Sequence, residues 1–384
     1  MVVNSCSSPV DMIKTEAHHL GFSLCGITLP DPPLHLETFK NWVQAGRQAD
    51  MNYMATPTAY MYRASPGLLF PKVKAIIVLG FPYCSTASIT CTTSDRPMGR
   101  IASYAWEPDY HLVLPARMKA LGNFISTVTG THVSSRSFTD TAPILEHELA
   151  QKAGLGWIGK HTCLIAPKMG SNFLISELFV DLELEPDNPF ISDRCGTCSR
   201  CQEACPTQCI RDDRTLDASR CISYLTIEKK GVIPKELRPL MGSWVFGCDI
   251  CQSVCPWNIR FSSLHENSII KPWPQIPFPD LIQELLLSPQ EFNQKFHHSP
   301  ILRPHRRGYL RNVAIALGNS HNPMGVPALM QTIIHESEPL VRGAAAWALH
   351  EIGSPIALNG LRTASLKETD AYVLSEIVDK EESC

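Results

Sequence analysis

Eight cysteines in and between two short runs are the residues of this sequence that could do metal chemistry. Residues 195–206 read C-x2-C-x2-C-x3-C-P, and residues 248–256 repeat the last part of that pattern as C-x2-C-x3-C-P. Such a tight loop presents several thiolates to one centre, and this is the spacing used to hold iron–sulfur clusters. Cys221 lies between the runs and supplies the thiolate that the second run lacks at its start. The eight thiolates therefore form two sets of four, enough for two 4Fe-4S clusters.

The last cysteine of such a run ligates the other cluster, and this rule divides the ligands into two sets. The first cluster is predicted to take Cys195, Cys198, Cys201 and Cys255, and the second to take Cys205, Cys221, Cys248 and Cys251. A pair of zinc sites is the alternative, because zinc held by four cysteines also uses C-x2-C. Zinc does not explain three consecutive short spacings or the Cys-Pro ending of both runs, so the pattern favours iron–sulfur clusters.

The composition is that of a globular protein with enough apolar residues for a sizeable core. Of 384 residues, 44% are hydrophobic and 18% are charged, and the net charge of −3 argues against a general binder of polyanions. No apolar run approaches the ~18 residues of a membrane span, and the first residues do not form a secretion signal. We therefore expect a cytoplasmic protein whose cysteines outside the two cluster sets are free thiols.

The elements that must position these ligands divide the chain into four parts. Residues 1–190 alternate helices and strands and predict one α/β or α+β domain. Residues 191–262 form the ferredoxin-like cluster domain, and the proline-rich residues 263–280 read as a linker. Residues 281–384 are all-helical, and within them residues 310–318 and 340–353 resemble each other in the manner of HEAT-type repeats. The fold class expected is a multidomain α+β protein.

Two clusters imply electron transfer, and the large N-terminal domain implies a second redox centre or a substrate there. Flavin, cobalamin and direct reduction of a substrate all stay open, whereas the absence of a dinucleotide fingerprint disfavours binding of NAD(P)H. Asp140 lies where a predicted strand gives way to a helix, a position that often faces a ligand cleft, with a helix N-cap as the alternative. The glycine-rich residues 154–160 could approach a large flat or phosphorylated group. The basic residues 303–311 could bind phosphate or could be a solvated helix start.

Several segments of the chain resemble the epoxyqueuosine reductase family. They are residues 140–160, residues 195–198, residues 220–226 and residues 247–257. The order of the parts is also similar to that family, whose N-terminal domain is similar to reductive dehalogenases. The resemblance implies two 4Fe-4S clusters and cobalamin as cofactors. It also implies an oxidoreductase that reduces epoxyqueuosine to queuosine at wobble position 34 of tRNA, the last step of queuosine biosynthesis.

In the mechanism that the resemblance implies, electrons pass from the clusters to cobalamin, whose reduced cobalt attacks the epoxide while Asp140 donates a proton. A small-molecule cobalamin-dependent reductive dehalogenase is the alternative, and a non-enzymatic electron carrier is the third interpretation. The basic segments and the helical tail disfavour the dehalogenase, because a small substrate needs neither. The partners expected are tRNA carrying epoxyqueuosine and an unidentified electron donor, with no membrane contact and a monomeric state.

The resemblance also supplies candidate contacts, each of which could instead be structural. The residues expected to contact cobalamin are Arg63, Tyr104, Asp140, Lys160, Ser223, Cys248 and Asp249. The residues expected to contact tRNA phosphates are Lys229, Lys230, Arg306, Arg307 and Arg311. As a hypothesis, Ser223 faces the cofactor while the two lysines reach towards the tRNA.

Overall fold

The computed structural model describes residues 8–84, 95–261, 272–274 and 276–378. The strands in this part of the chain are β1 (Leu24–Thr28), β2 (Ala75–Pro82), β3 (Arg100–Ile101), β4 (Ser135–Phe138), β5 (Trp157–Ile158), β6 (Leu164–Ile165), β7 (Phe173–Val180) and β8 (Trp244–Phe246). The helices up to the cluster segment are α1 (Pro9–His19), α2 (Leu36–Gln44), α3 (Pro57–Ala64), α4 (Tyr110–Thr129) and α5 (Glu146–Lys152). The cluster segment holds α6 (Arg200–Ala204), α7 (Ile222–Ile227), α8 (Ile250–Ser253) and α9 (Pro256–Phe261). The C-terminal helices are α10 (Leu281–Leu285), α11 (Pro289–Lys295), α12 (His305–Asn319), α13 (Val326–His335), α14 (Pro339–Ile352), α15 (Pro355–Ser365) and α16 (Ala371–Val378).

A four-stranded sheet of order β1-β2-β7-β4 forms the centre of the N-terminal domain. All its pairings are antiparallel, so the domain is α+β rather than α/β. Strands β2 and β7 are almost entirely buried, because α1 and α4 cover one face of the sheet and α5 covers the other. Strands buried on both faces read as continuous apolar runs, which is how β2 was recognisable from its sequence.

The cluster segment is joined to the N-terminal domain by backbone pairing and by side-chain hydrogen bonds. Strand β8 pairs in parallel with β3, with Ile101 opposite Phe246. On another side, the amide of Asn258 accepts a hydrogen bond from the backbone N–H of Ser171 at 2.6 Å and donates one to its hydroxyl at 2.9 Å. The segment therefore lies in a fixed position beside the sheet domain.

The C-terminal helices pack as the predicted repeats. The segment of residues 310–318 lies in α12 and that of residues 340–353 lies in and after α14, and these two helices pack against each other. Small residues allow their close approach, since a Cβ on Gly318 would lie 2.9 Å from the Cα of Ala348. A single cluster of buried side chains runs from Cys84 through the cluster segment to Ile377, so the helical domain shares its core with its neighbours.

The described part of the predicted linker packs against the N-terminal domain. The backbone N–H of Trp273 donates to the carbonyl of Trp106 at 2.9 Å, and that of Gly99 donates to the carbonyl of Pro279 at 2.7 Å. Ile276 is buried. Among the described residues, no helix has the length and apolar character needed to cross a bilayer.

Candidate active site and cluster sites

The cysteines of the two runs, together with Cys221, lie as two groups of neighbouring thiols. In the first group, burial and then the charge of Cys195 raise the pKa of Cys201, and burial followed by Cys195 and Cys198 raises the pKa of Cys255. In the second group, burial and then the charges of Cys221 and Cys205 raise the pKa of Cys248. The pKa of Cys251 is raised by burial and by several thiols, Cys248 and Cys221 among them. The structure thus brings together the members of each predicted set.

The chemistry of these groups fits iron–sulfur clusters. All eight thiols are free, and thiolates are the ligands that hold 4Fe-4S clusters. In the described ranges, no three His, Cys, Asp or Glu side chains converge closely enough to hold a single metal ion. A cluster of four irons is wider than one ion, so its four ligands stand further apart.

The glycine-rich loop contacts the first cluster set. The Nζ of Lys160 donates to the carbonyl of Cys198 at 2.9 Å, and the indole N–H of Trp157 donates to the Sγ of Cys195 at 3.4 Å. The glycines serve protein packing, since a Cβ on Gly156 would lie 2.1 Å from the carbonyl oxygen of Ile165. Lys160 thus supports the cluster loop in this structure, and its expected contact with cobalamin stays a prediction.

Two cysteines outside the ligand sets lie beside them. The Sγ atoms of Cys209 and Cys205 are 3.5 Å apart, and the hydrogen bond from Cys209 lowers the pKa of Cys205 to about 5. Cys163 lies close enough to Cys221 and Cys255 for their charges to raise the pKa of its thiol to about 12, after the larger effect of burial. The spacing pattern alone did not assign either residue a place at the clusters.

Asp140 occupies an exposed turn immediately after β4 in which few side chains are stable. Its φ of +51° lies in the left-handed region, which most residues other than glycine avoid. Two contacts hold it: its backbone N–H donates to Oε1 of Glu146 at 2.8 Å, and the hydroxyl of Tyr110 donates to its Oδ2 at 2.9 Å. The N-cap of α5 is Leu145, which makes no side-chain cap, so Asp140 does not cap that helix.

Two further carboxyl groups lie behind Asp140, and sequence reasoning missed both. Glu146 is half-buried at the start of α5, and burial followed by the charge of Asp140 raises its pKa to about 8. Glu177 lies in β7 with a fully buried side chain (0% exposed), and within the described chain neither carboxyl oxygen has a hydrogen-bond partner. Burial and then the charges of Glu146 and Asp140 raise the pKa of Glu177. A lone Glu in the apolar run of residues 173–180 was the available signal.

Arg63 and a set of aromatic rings lie near Asp140 and Glu146, and the region that these side chains surround is called the cleft. Arg63 is 7% exposed, its guanidinium lies 4.6 Å from the ring centroid of Phe39, and its Nε has no hydrogen-bond partner among the described residues. The ring of Tyr104 lies between those of Tyr110 and Phe246, at centroid distances of 6.3 and 6.0 Å. A buried, partnerless donor beside an aromatic wall fits a large flat ligand with amide or carboxyl groups, and a corrinoid has this chemistry.

The remaining cofactor candidates lie where the second cluster set meets this cleft. Asp249 is buried, accepts a hydrogen bond from the backbone N–H of Ser103 at 2.7 Å, and its charge raises the pKa of Tyr104 after burial and Asp140. Ser223 is half-buried at the start of α7, where its backbone N–H is directed at the thiol of Cys221. Cys248 precedes Asp249 and belongs to the second cluster set. These residues therefore connect that set to the cleft.

The five tRNA candidates occupy different environments. Lys230 and Arg307 are exposed. Lys229 forms an ion pair with Asp50 at 2.9 Å, and Arg306 forms one with Glu336 at 2.6 Å. Arg311 is 1% exposed and donates to the carbonyls of Leu225, Lys229 and Gly231. The role expected of Arg311 is therefore corrected: it joins α12 to α7 and does not face a nucleic acid.

The mouth of the cleft is formed by Tyr53, Glu228 and Arg303, of which the sequence reasoning named only Arg303, as the start of the basic run 303–311. Tyr53 is 55% exposed. Its pKa is raised, first by partial burial and then by the charges of Glu228 and Asp140, while the charge of Arg303 lowers it. Arg303 and Glu228 form an ion pair at 2.9 Å. These groups come from three distant segments, so only the fold brings them together beside Asp140.

The fold and these sites define a class of protein, an oxidoreductase in which a double-cluster domain adjoins a cleft lined by carboxyl groups. Residues 194–258 match the family of 4Fe-4S double cluster binding domains, residues 63–141 match "Epoxyqueuosine reductase QueG, DUF1730", and residues 302–379 match HEAT repeats. The chain is 38% identical over 350 residues to the epoxyqueuosine reductase of Shigella dysenteriae, covering 89% of this chain and 91% of that protein. This chain belongs to the epoxyqueuosine reductase family.

Solved structures agree with this assignment. The structure of epoxyqueuosine reductase from Bacillus subtilis, described with its catalytic Asp loop swung out of the active site, has a TM-score of 0.87 at 29% identity and 96% coverage of each chain. A crystal structure of epoxyqueuosine reductase with an epoxyqueuosine-modified tRNA-Tyr stem loop has a TM-score of 0.85 at 29% identity, also with 96% coverage of each chain. The predicted family, the 4Fe-4S interpretation over zinc, and the HEAT-like tail are thereby confirmed.

Proposed function

We propose that this protein reduces epoxyqueuosine to queuosine at wobble position 34 of tRNA, with two 4Fe-4S clusters and cobalamin as its cofactors. The observation that carries the proposal is Asp140, held in a left-handed turn by Tyr110 and Glu146 at the mouth of a cleft that adjoins the second cluster set. Membership of the family supports the reaction and the cofactors. The solved relative with a modified tRNA stem loop supports tRNA as the substrate.

Cobalamin, when bound, supplies a cobalt centre that accepts electrons from the clusters and delivers them to the epoxide. The residues that would hold it are Arg63, Tyr104, Ser223, Cys248 and Asp249. The partnerless Nε of Arg63 can donate to an amide or carboxyl oxygen, and the ring of Tyr104 offers a flat apolar surface. Tyr104 lies close enough to both Asp140 and Asp249 for their charges to raise its pKa, after burial, which supports a cofactor position between Asp140 and the second cluster set.

Asp140 acts as the acid that protonates the epoxide oxygen. Opening an epoxide leaves an alkoxide, and a placed acid lowers the free energy of that step. Oδ2 of Asp140 accepts a hydrogen bond from the hydroxyl of Tyr110, so Oδ1 is the oxygen that carries the proton to be donated. The carboxyl group is exposed in this structure, so an approaching substrate can reach it.

The tRNA contacts combine cations with an aromatic ring at the mouth of the cleft. Lys230 and Arg307 are exposed and can reach phosphates, while Lys229 and Arg306 must first leave their ion pairs. The exposed ring of Tyr53 can stack on an unpaired base of the anticodon loop. A tRNA substrate also supports a cytoplasmic location, and the proposed reaction needs a separate electron donor for the clusters.

Anaerobic reconstitution tests the proposal. The protein is loaded with iron, sulfide and cobalamin, reduced chemically, and mixed with tRNA carrying epoxyqueuosine. Mass spectrometry of the wobble nucleoside is expected to show the loss of one oxygen atom, and the Asp140→Asn variant is expected to leave the nucleoside unchanged. An unchanged nucleoside with the fully loaded wild-type protein would refute the proposal. Release of halide from an organohalide by the same protein would favour a small-molecule dehalogenase.

A further inference from the structure

The proposed reaction needs more protons than Asp140 can hold. Converting an epoxide to an alkene takes two electrons and two protons, and the ring oxygen leaves as water. One proton reaches that oxygen as the first C–O bond breaks, and a second reaches it as the other C–O bond breaks. The reduced clusters supply the electrons, but a single carboxyl group supplies one proton. A second proton must therefore come from a neighbouring group, an inference that rests on the proposed function.

Glu177 is placed to keep a proton out of contact with water. It stands opposite Phe138 in the β4–β7 ladder, and Asp140 follows Phe138 by two residues. The side chain is fully buried, and both its oxygens lack partners in the described part of the chain. A buried carboxyl group without a partner takes up a proton, because an isolated charge in the interior is far more costly.

Glu146 connects this buried group to Asp140. Its Oε1 accepts the backbone N–H of Asp140 at 2.8 Å, and it lies close enough to Glu177 for its charge to raise the pKa of that group, after burial. The cation facing these carboxyl groups is Arg63 on α3, which lowers the pKa of Glu146 less than burial and Asp140 raise it. The cation on the neighbouring strand β4, Arg136, donates instead to the carbonyl of Leu69. From α4, Tyr110 donates to Asp140.

Burial and neighbouring carboxyl groups thus favour the protonated forms of Glu146 and Glu177, and the buried Arg63 opposes this only in part at Glu146. The pKa of Glu146 is about 8, so this group holds a proton below that pH and loses it as the pH rises through about 8. The pKa of Glu177 is also raised, so this group likewise keeps its proton to a higher pH than an ordinary glutamate does.

We propose that Glu146 and Glu177 form a proton reserve that recharges Asp140 between the two protonations of the epoxide oxygen. Both act through Asp140 and neither touches the substrate. The reserve accounts for an otherwise costly feature, an acidic residue without a partner in the central strand β7. An apolar residue there would serve packing alone.

Glu177→Gln tests the reserve, because glutamine has the shape of a protonated glutamate but cannot release a proton. With loaded enzyme and excess reductant, we expect this variant to bind tRNA normally and to convert the nucleoside about tenfold more slowly or worse. As the pH is raised, we also expect the rate of the variant to begin to fall at a lower pH than the rate of the wild type. Glu146→Gln, which keeps an acceptor for the Asp140 N–H, should behave in the same way and serves if the first variant folds poorly.

Glu148→Gln is the matched control on the same helix. Its carboxylate accepts hydrogen bonds from the backbone N–H groups of Leu34 and His35 and does not belong to the set formed by Asp140, Glu146 and Glu177. Its pH profile should be that of the wild type. A purely structural role for Glu177 would likewise leave the Glu177→Gln rate and pH profile unchanged, and that result would overturn the reserve.

Infrared spectroscopy of the cofactor-free protein provides a measurement that does not depend on turnover. We expect the C=O band of protonated Glu146 and Glu177 at pH 7, and a partial loss of that band in Glu177→Gln, where Glu146 still contributes. Absence of that band in the wild type would overturn the reserve even if the nucleoside is converted. Failure of the loaded wild type to convert the nucleoside, with the band present, would overturn the proposed function instead.

Discussion

The hydroxyl of Tyr110 donates a hydrogen bond of 2.9 Å to Oδ2 of Asp140, across 30 residues of sequence. Tyr110 is the first residue of α4, a long helix packed on the sheet, so its hydroxyl is held on a rigid element. The bond selects which oxygen of the carboxyl group remains available to the substrate. Orientation of an acid by a second group in this way sets the geometry of proton transfer.

Tyr110→Phe should lower the single-turnover rate by about tenfold, because Asp140 loses the group that orients it. Cobalamin loading, followed by its absorbance, should be retained. Tyr62→Phe on α3 is the control, since this tyrosine packs against the apolar cluster under α5. Equal rates for Tyr110→Phe and the wild type would show that the hydrogen bond does not orient the acid.

Asp140→Asn should abolish reduction of the nucleoside, with a loss of at least about 100-fold, while both clusters and cobalamin are retained. Asparagine tolerates the left-handed conformation, so the turn at φ +51° should persist and only the proton is lost. Rates are measured by mass spectrometry of the nucleoside. Turnover at the wild-type rate would contradict the role of Asp140 as the acid.

Cys221→Ala should remove the second cluster and leave the first, because the thiol belongs to the second group only. Iron content should fall from about eight to about four atoms per chain, and one electron paramagnetic resonance signal should remain after reduction. Cys209→Ala is the control and should keep both clusters, although its Sγ lies 3.5 Å from that of Cys205. Retention of both clusters by Cys221→Ala would break the predicted partition.

The double variant Lys230→Gln, Arg307→Gln should weaken tRNA binding, because both side chains are exposed and Lys230 lies close to Arg303 and Arg307. The slope of log K against log salt should decrease by about 1 for each tRNA phosphate that is no longer neutralised. Lys72→Gln is the control, an exposed lysine in the loop before β2. An unchanged affinity and salt slope in the double variant would mean that these two side chains do not contact tRNA phosphates.

The ion pair between Arg342 and Glu368 should make the stability of the helical domain depend on pH. The hydrogen bond from Arg342, at 2.7 Å, lowers the pKa of Glu368 to about 2 from an ordinary value of 4.5. A lowered carboxyl pKa stabilises the fold above about 4.5, and that stabilisation is lost as the pH falls towards about 2. Thermal unfolding of Glu368→Gln should show a smaller decrease of Tm over this range than the wild type. Parallel curves would contradict the prediction.

The cluster ligands could be predicted from the sequence because their spacing is local and few metal centres use it. The cations of the basic run 303–311 that can reach tRNA were harder to predict, because the charge of a residue does not show whether its side chain is exposed. Arg307 and Arg311 lie one turn apart on the same side of α12, yet Arg307 is exposed and Arg311 is buried, because α7 and the residues that follow it cover only Arg311. Helices and strands of strong periodicity were also predictable, whereas contacts such as that of Tyr53 with Arg303 and Glu228 depend on tertiary packing.

The parallel pairing of β3 with β8 has a consequence for how this enzyme could have been assembled. Val245 and Phe246 are fully buried against residues outside the cluster segment, and Ile101 lies opposite Phe246. A fragment of residues 191–262 would expose that apolar strand and lose its partner. The electron-carrying segment is therefore not a removable cassette. Any exchange of this segment between family members by recombination must exchange a compatible β3 as well.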